Sequence, residues 1–354
     1  MKEFEIRSGY LEDEAIETIY FGGGTPSLLH PYEAGMLLDK IYSLFKVTSN
    51  PEITFESNPE DLSYDYLSSI KNLVINRLSI GVQSFFDEDL KMMNRRHSSK
   101  QATDSIIIAR NAGFNNISID LIYGLPIFHI SNSQSAIISD DIYTINKWKH
   151  NLDTLFSFKI PHVSAYHLSI EPSTVFMNFL KQGKISAPDE SLSFKQFEIL
   201  TAYMEKNGYI QYEISNFCRN GFFSIHNSNY WSGKKYLGVG PSSHSFNIDS
   251  RQWNVSDSLK YINAINQDNV PYEVEFLDNK TKYNDYILTS LRTRNGADLS
   301  FIEKNFGVQS RNHCLNSVSL YLKSGHADLI NNSLTLSVCG KFISDRIISD
   351  LMFA

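Results

Sequence analysis

Five stretches of this 354-residue sequence carry groups suited to holding a ligand. "FGGGTPS" (21–27) offers the bare backbone of Gly22, Gly23 and Gly24, then Thr25. "ESNP" (56–59) brings Glu56 and Asn58, and "GVQS" (81–84) brings Gln83 and Ser84. "DLIYGLP" (120–126) opens on Asp120, and "SIEP" (169–172) contains Glu171. Glycines let a ligand approach main-chain N–H and C=O groups directly. Carboxylates accept hydrogen bonds from an ammonium group or from ribose hydroxyls. Arg95, in "MNRRH" (93–97), is placed to take a ligand's own carboxylate bidentately. The combination suits a zwitterionic ligand that bears a sugar. The glycine loop alone says less. Thr-Pro follows it where a phosphate loop has a lysine, and its spacing is not that of a dinucleotide fingerprint.

These groups share one position in the chain's rhythm. Strands are expected over 16–21, 52–57, 76–84, 116–124 and 162–170, separated by helices over 31–45, 63–73, 87–95, 100–113 and 143–158. Ser63 reads as an N-cap and Gly113 as a helix stop. Repeated βα units imply a parallel sheet with helices outside, either doubly wound or a barrel. Ligands in such folds bind at the carboxyl ends of the strands, and that is where each of the five groups falls. Arg95 falls on the expected 87–95 helix. A βα architecture opens on a strand, whereas this chain opens on a helix-like segment, so the first strand is expected to be missing. The Ser-rich stretch 127–142 reads as an inserted loop. Beyond it, 191–208 reads as a helix and "YIQYEISNF" (209–217) as one alternating strand. Residues 326–337 read as a hairpin inside a small α+β appendage of winged-helix character.

Composition narrows the function classes. A net charge of −7 and a pI near 5.8 disfavour a general nucleic-acid or anionic-membrane surface. No apolar run is long enough to span a bilayer, and the charged N-terminus lacks a signal peptide's apolar stretch. A cytoplasmic location is expected, with membrane association at most peripheral. Cys218, Cys314 and Cys339 are too scattered for a disulfide framework or a Cys-x-x-Cys metal site.

"FGGGTPSLL", "ITFESNPEDL", "NRLSIGVQSF", "NRRH" and "ISIDLIYGLP" resemble, in order and spacing, radical S-adenosylmethionine proteins of the oxygen-independent coproporphyrinogen III oxidase family. "YHLSIEPSTVF", "YEISNF", "HNSNYW" and "YLGVGPSSHS" are similar to its heme chaperone (HemW) branch. So is the C-terminal "LTSLRTRNGADLSFIEKNFG". The resemblance covers nearly the whole chain. It implies a partial (β/α)6 barrel over 1–175, a branch-specific connecting region over 176–270 and a C-terminal domain over 271–354. It implies that Gly23, Gly24 and Thr25 meet the amino-acid moiety of S-adenosylmethionine. Glu56, Gln83, Arg95 and Asp120 fall on its other ligand positions. By themselves His226 and Asn227, in "HNSNYW", read as loop hydrogen-bonding groups and Trp231 as a core residue; the branch's association with heme makes His226 a candidate heme contact, with Tyr230 and Trp231 able to pack on the macrocycle. His167 and His244 are weaker candidates.

One departure is large. The family holds a [4Fe-4S] cluster on Cys-x-x-x-Cys-x-x-Cys, and this sequence contains no such motif. It therefore reads as N-terminally truncated, expected to bind heme but no cluster, and not expected to cleave S-adenosylmethionine reductively. Two readings follow from the resemblance. One is a heme chaperone that hands heme to an acceptor protein. The other is an oxygen-independent coproporphyrinogen III oxidase of porphyrin biosynthesis.

Overall fold

The computed structural model describes residues 1–126, 140–171 and 175–353. The first half runs α1 (Lys2–Ile6), β1 (Ile16–Phe21), α2 (Pro31–Leu44), β2 (Val47–Ser57), α3 (Tyr64–Lys71), β3 (Arg77–Gln83), α4 (Asp87–Met92), α5 (Ser99–Asn111), β4 (Asn116–Tyr123), α6 (Asp140–Ser157) and β5 (His162–His167). Strands β1 to β5 are parallel and lie side by side in chain order. Right-handed crossovers in an unreversed order place every helix on the same face. The result is a curled half-barrel, helices outside.

Local chemistry sets the element ends. His30 and Glu33 form a capping box around Pro31 at the start of α2. The Ser63 hydroxyl accepts from the Tyr66 N–H at α3. Ser98 and Gln101 cap α5, and Gly113, at φ +87°, turns the chain away beyond it. β2 begins earlier than its apolar core suggests, because 47–51 extends the ladder through a register shift opposite Ile16 and Thr18. Of the expected 127–142 insertion, 127–139 lie outside the described residues, and 140–142 open α6.

The strands are two-faced. Ile53 and Phe55, Leu78, Ile80 and Val82, Ile117, Ile119 and Leu121, and Val163 and Ala165 form one buried core with the helices. The alternate residues are polar, apart from Gly81: Glu52, Thr54 and Glu56; Arg77, Ser79 and Gln83; Asn116, Ser118 and Asp120; His162 and Ser164. Period-2 alternation sends these to the inner face.

The second half adds α7 (Val175–Lys181), α8 (Glu190–Lys206), β6 (Ile210–Glu213), β7 (Asn216–Cys218), α9 (Ile225–Trp231), β8 (His244–Phe246), β9 (Ser250–Asn254), α10 (Ser258–Asn266) and β10 (Tyr272–Phe276). The expected single strand over 209–217 is instead a hairpin. β6 and β7 pair antiparallel, with Glu213 opposite Asn216, and β7 extends the main sheet beside β5. The Glu213 carboxylate accepts from the Ser215 N–H and the Asn216 side chain, which holds the tight turn.

The C-terminal part runs α11 (Asn279–Leu291), β11 (Ala297–Asp298), α12 (Leu299–Lys323), β12 (Ala327–Ile330), β13 (Ser333–Leu336), α13 (Val338–Phe342) and α14 (Ser344–Leu351). α12 is kinked at Gly307 (φ +88°). The expected hairpin is β12–β13, closed by Asn331 and Asn332 at positive φ. Tyr283, Ile287, Ile302, Val318 and Ile347 centre a separate apolar core. Arg292 ties this part to the barrel through a 2.9 Å ion pair with the buried Glu213.

Phe55 is fully buried in the barrel's core. Phe55→Ala is expected to lower the unfolding free energy by about 3–5 kcal/mol, read by urea denaturation. A loss well under 1 kcal/mol would contradict the assigned packing.

Candidate functional site

Gly23 and Gly24, beyond the end of β1, have φ of +74° and +63°. L side chains rarely adopt this region. A Cβ on either would meet nothing within 4 Å, so both face open space. Gly22 is constrained differently: a Cβ there would lie 2.5 Å from the Tyr20 ring and 3.2 Å from Glu56 Oε1. Glu56 Oε1 accepts from the Tyr20 hydroxyl at 2.6 Å, and Oε2 accepts from the Gly23 N–H at 3.3 Å.

At the end of β3 the ladder to β4 shifts register between Ile80 and Gln83, and Gln83 adopts φ +67°. Its side-chain Oε1 is buried with no hydrogen-bond partner. Gly81 leaves room that a Cβ would occupy, 3.0 Å from Gln83 Nε2 and 3.2 Å from Arg95 Nη2. Arg95 does not lie on a helix, which corrects the expectation above. α4 stops at Met92, Asn94 turns at φ +54°, and the Arg95 N–H donates back to the Leu90 carbonyl at 2.8 Å. This reversal returns the guanidinium to the sheet, where Nη2 donates to Asn58 Oδ1 at 2.7 Å and to the Gly81 carbonyl at 3.2 Å. Asp120 Oδ1 accepts from the Ser79 hydroxyl at 3.4 Å. Burial and the neighbouring Glu56 charge push its carboxyl up to about 6.

Gly24, Thr25, Glu56, Gln83, Arg95 and Asp120 therefore line one cleft, with Gly23 beside it through its bond to Glu56. Asn58, Ser27, Ser79 and Gly81 line it too. The last three were not singled out from sequence. For Ser79 and Gly81, alternation along "RLSIGVQ" was the available signal, since Arg77, Ser79, Gly81 and Gln83 are spaced two apart. Ser84 and Glu171 are not among the lining residues. Ser84 is buried and donates to Asp89 at 2.6 Å, and Glu171 accepts from Ser169 at 3.2 Å.

"HNSNYW" lies on α9, against the outer edge of β1. The buried Glu52 carboxylate of β2 anchors this helix. It accepts from the Ile225 N–H (3.0 Å), the His226 N–H (2.9 Å) and the Ser224 hydroxyl (3.3 Å), with Arg77 Nε 4.0 Å away. The His226 ring stacks on Tyr20 (centroids 4.6 Å apart, 27° between planes), and its Nδ1 lies 2.9 Å from Thr18 Oγ1. Burial holds its pKa below the usual imidazole value. Tyr230 is exposed, and Trp231 lies under the Arg292 guanidinium at 5.2 Å. His167 and His244 are exposed on β5 and β8, apart from this cluster.

No cysteine lines the cleft. Cys218 is buried on β7, where burial pushes its thiol up to about 12. Cys314 is buried on α12, and Cys339 is exposed on α13. Among the described residues, no group of three or more His, Cys, Asp or Glu is placed to hold a metal ion. No helix among them is long and apolar enough to cross a membrane.

A curled parallel sheet with a glycine loop and convergent polar groups at its strand ends is the architecture of radical SAM proteins. The family model described as "Radical SAM superfamily" matches residues 4–131. The fold is similar to that of coproporphyrinogen III oxidase (HemN) from Escherichia coli, with a TM-score of 0.80 at 20% identity over 99% of this chain and 81% of that one. Curated relatives narrow the assignment. The sequence is 37% identical to the heme chaperone HemW of Bacillus subtilis over 73% of this chain and 64% of the relative. It is 34% identical to that of Lactococcus lactis over 83% of this chain and 74% of the relative. The chain belongs to the HemW family of radical SAM proteins.

The elevated Asp120 pKa has a consequence for stability. A carboxyl raised from 3.8 to about 6 on folding binds its proton more tightly in the native state. Stability therefore falls as pH rises through that window, by about 1–3 kcal/mol in all. Asp120→Asn is expected to melt higher than wild type at pH 7.5 and to lose that advantage near pH 4. Equal differences at both pH values would sink the assignment.

Proposed function

We propose that this chain binds heme on the His226 side of β1 and passes it to an acceptor protein, and that it binds S-adenosylmethionine in the strand-end cleft. The observation that carries the heme reading is the setting of His226. Its backbone is fixed by Glu52, one ring face by Tyr20, and Nδ1 by Thr18. With the proton on Nδ1 and donated to Thr18, Nε2 keeps its lone pair for iron. A ligating histidine is held in its tautomer by this kind of second partner. Burial supports the neutral, ligating form near pH 7. The curated relatives in B. subtilis and L. lactis are named heme chaperones.

The cleft fits S-adenosylmethionine by its chemistry. Gly23 and Gly24 present open backbone to the amino-acid end, Thr25 adjoins them, and Arg95 supplies a cation for the carboxylate. Glu56 and Asp120 supply acceptors for ammonium or ribose donors, and the orphaned Gln83 Oε1 awaits a donor. The described residues do not fit a [4Fe-4S] cluster, since none of them brings a thiol to the cleft. The reading is therefore of binding and transfer by this chain's own residues.

Heme titration should give a saturable Soret change that His226→Ala weakens by at least about 10-fold, as expected when a coordinate bond is lost. A non-saturable change, or one indifferent to His226→Ala, would remove the heme reading. Calorimetry with S-adenosylmethionine should show binding that Arg95→Ala weakens by about 10- to 100-fold, through loss of a charge-assisted pair. Unchanged affinity would move the ligand elsewhere. Anaerobic reconstitution with iron and sulfide should leave neither bound to this chain, and retention of both would overturn the cluster-free reading.

A further inference from the structure

Tyr20 touches both His226 and a residue of the cleft. One face of its ring stacks on His226 at 4.6 Å, and its hydroxyl donates to Glu56 Oε1 at 2.6 Å. Glu56 in turn lines the cleft. Burial and the Glu56 charge hold the Tyr20 phenol far above its ordinary pKa, so it stays a neutral donor. The ring has room only because residue 22 lacks a side chain, since a Cβ there would lie 2.5 Å from Tyr20 Cε1. The candidate iron ligand thus lies on a face of one half-buried ring, and the cleft carboxylate bonds the hydroxyl at that ring's end.

We infer that Tyr20 is a positioning residue for His226 and links occupancy of the cleft to heme binding, each ligand tightening the other. The inference rests on the reading of His226 as the heme ligand. Without a ligand, Glu56 is held by two hydrogen bonds, one of them at 3.3 Å. An ammonium or ribose donor arriving in the cleft fixes this carboxylate. The fixed carboxylate holds the Tyr20 hydroxyl, and the held ring sets the face on which the His226 imidazole lies. The second ligand then meets a site already ordered, which gives positive linkage without a change of fold. The linkage is reciprocal because it is a free energy shared by the two bindings.

Ferric heme is titrated into the full chain with and without saturating S-adenosylmethionine, and the reverse titration follows S-adenosylmethionine with and without heme. Wild type is expected to show tightening by about 3- to 10-fold, the worth of one ordered hydrogen bond, and by the same factor in both directions. Tyr20→Phe keeps the stacked ring and loses the hydroxyl. It should still bind heme through His226, with the linkage reduced to less than about 2-fold. Gly22→Ala displaces the ring from the loop side and should lower heme affinity and linkage together. Thermal melts check that both variants fold.

Equal heme affinity with and without S-adenosylmethionine in wild type would overturn the inference. So would full linkage retained in Tyr20→Phe. Heme binding indifferent to His226→Ala would instead overturn the underlying reading, and the two failures are told apart by that variant.

Discussion

A parallel sheet that is apolar on one face and polar on the other is the constraint on which this molecule is built. Along β2 to β5 the apolar residues meet the helices, and burying Phe55, Ile80, Ile119 and their neighbours supplies the core. The other face carries Glu52, Glu56, Arg77, Ser79, Asp120 and His162 through its depth. Such groups must be partnered or must face a ligand, because an unpaired polar group away from water is destabilising. Most are partnered within the sheet. His162, for example, bonds to Ser118 and Tyr212 and is kept neutral by burial. At the strand ends partnering is incomplete, and there the cleft opens.

Glu52 shows how the two halves of the chain are joined through this face. It is a buried carboxylate with Arg77 nearby, and it takes its hydrogen bonds from Ser224, Ile225 and His226. Residues more than 170 positions apart in sequence become one site because an inward-facing carboxylate needs donors and a helix start has spare N–H groups. Tyr20 completes the join by leaning on His226 and reaching Glu56. The cleft and the histidine are thus neighbours by construction.

Several groups in the cleft are held in states that do not favour stability. Asp120 is a raised-pKa acid beside a second carboxylate, Gln83 sits at positive φ with an orphaned oxygen, and Gly23 and Gly24 leave backbone uncovered. Strain and unmet polarity are thus concentrated in one place, as they commonly are where proteins hold ligands.

Much of this was legible in the sequence. The five βα units, the caps at Ser63 and Gly113, the β12–β13 hairpin and the convergence of Glu56, Gln83 and Asp120 all follow from local periodicity and turn chemistry, which short stretches of chain carry by themselves. The failures fall where a tertiary contact decides. Arg95 is not helical, because a left-handed turn at Asn94 sends it back to Asn58 and Gly81. Residues 209–217 alternate like one strand, yet Glu213 gathers the turn that folds them into two. The pairing of His226 with Tyr20, Thr18 and Glu52 had no local signal, since a hydrogen bond between residues so distant in sequence exists only once the sheet has curled and α9 has docked on its edge. Sequence by itself determined which residues face inward. The tertiary structure decided which of them meet.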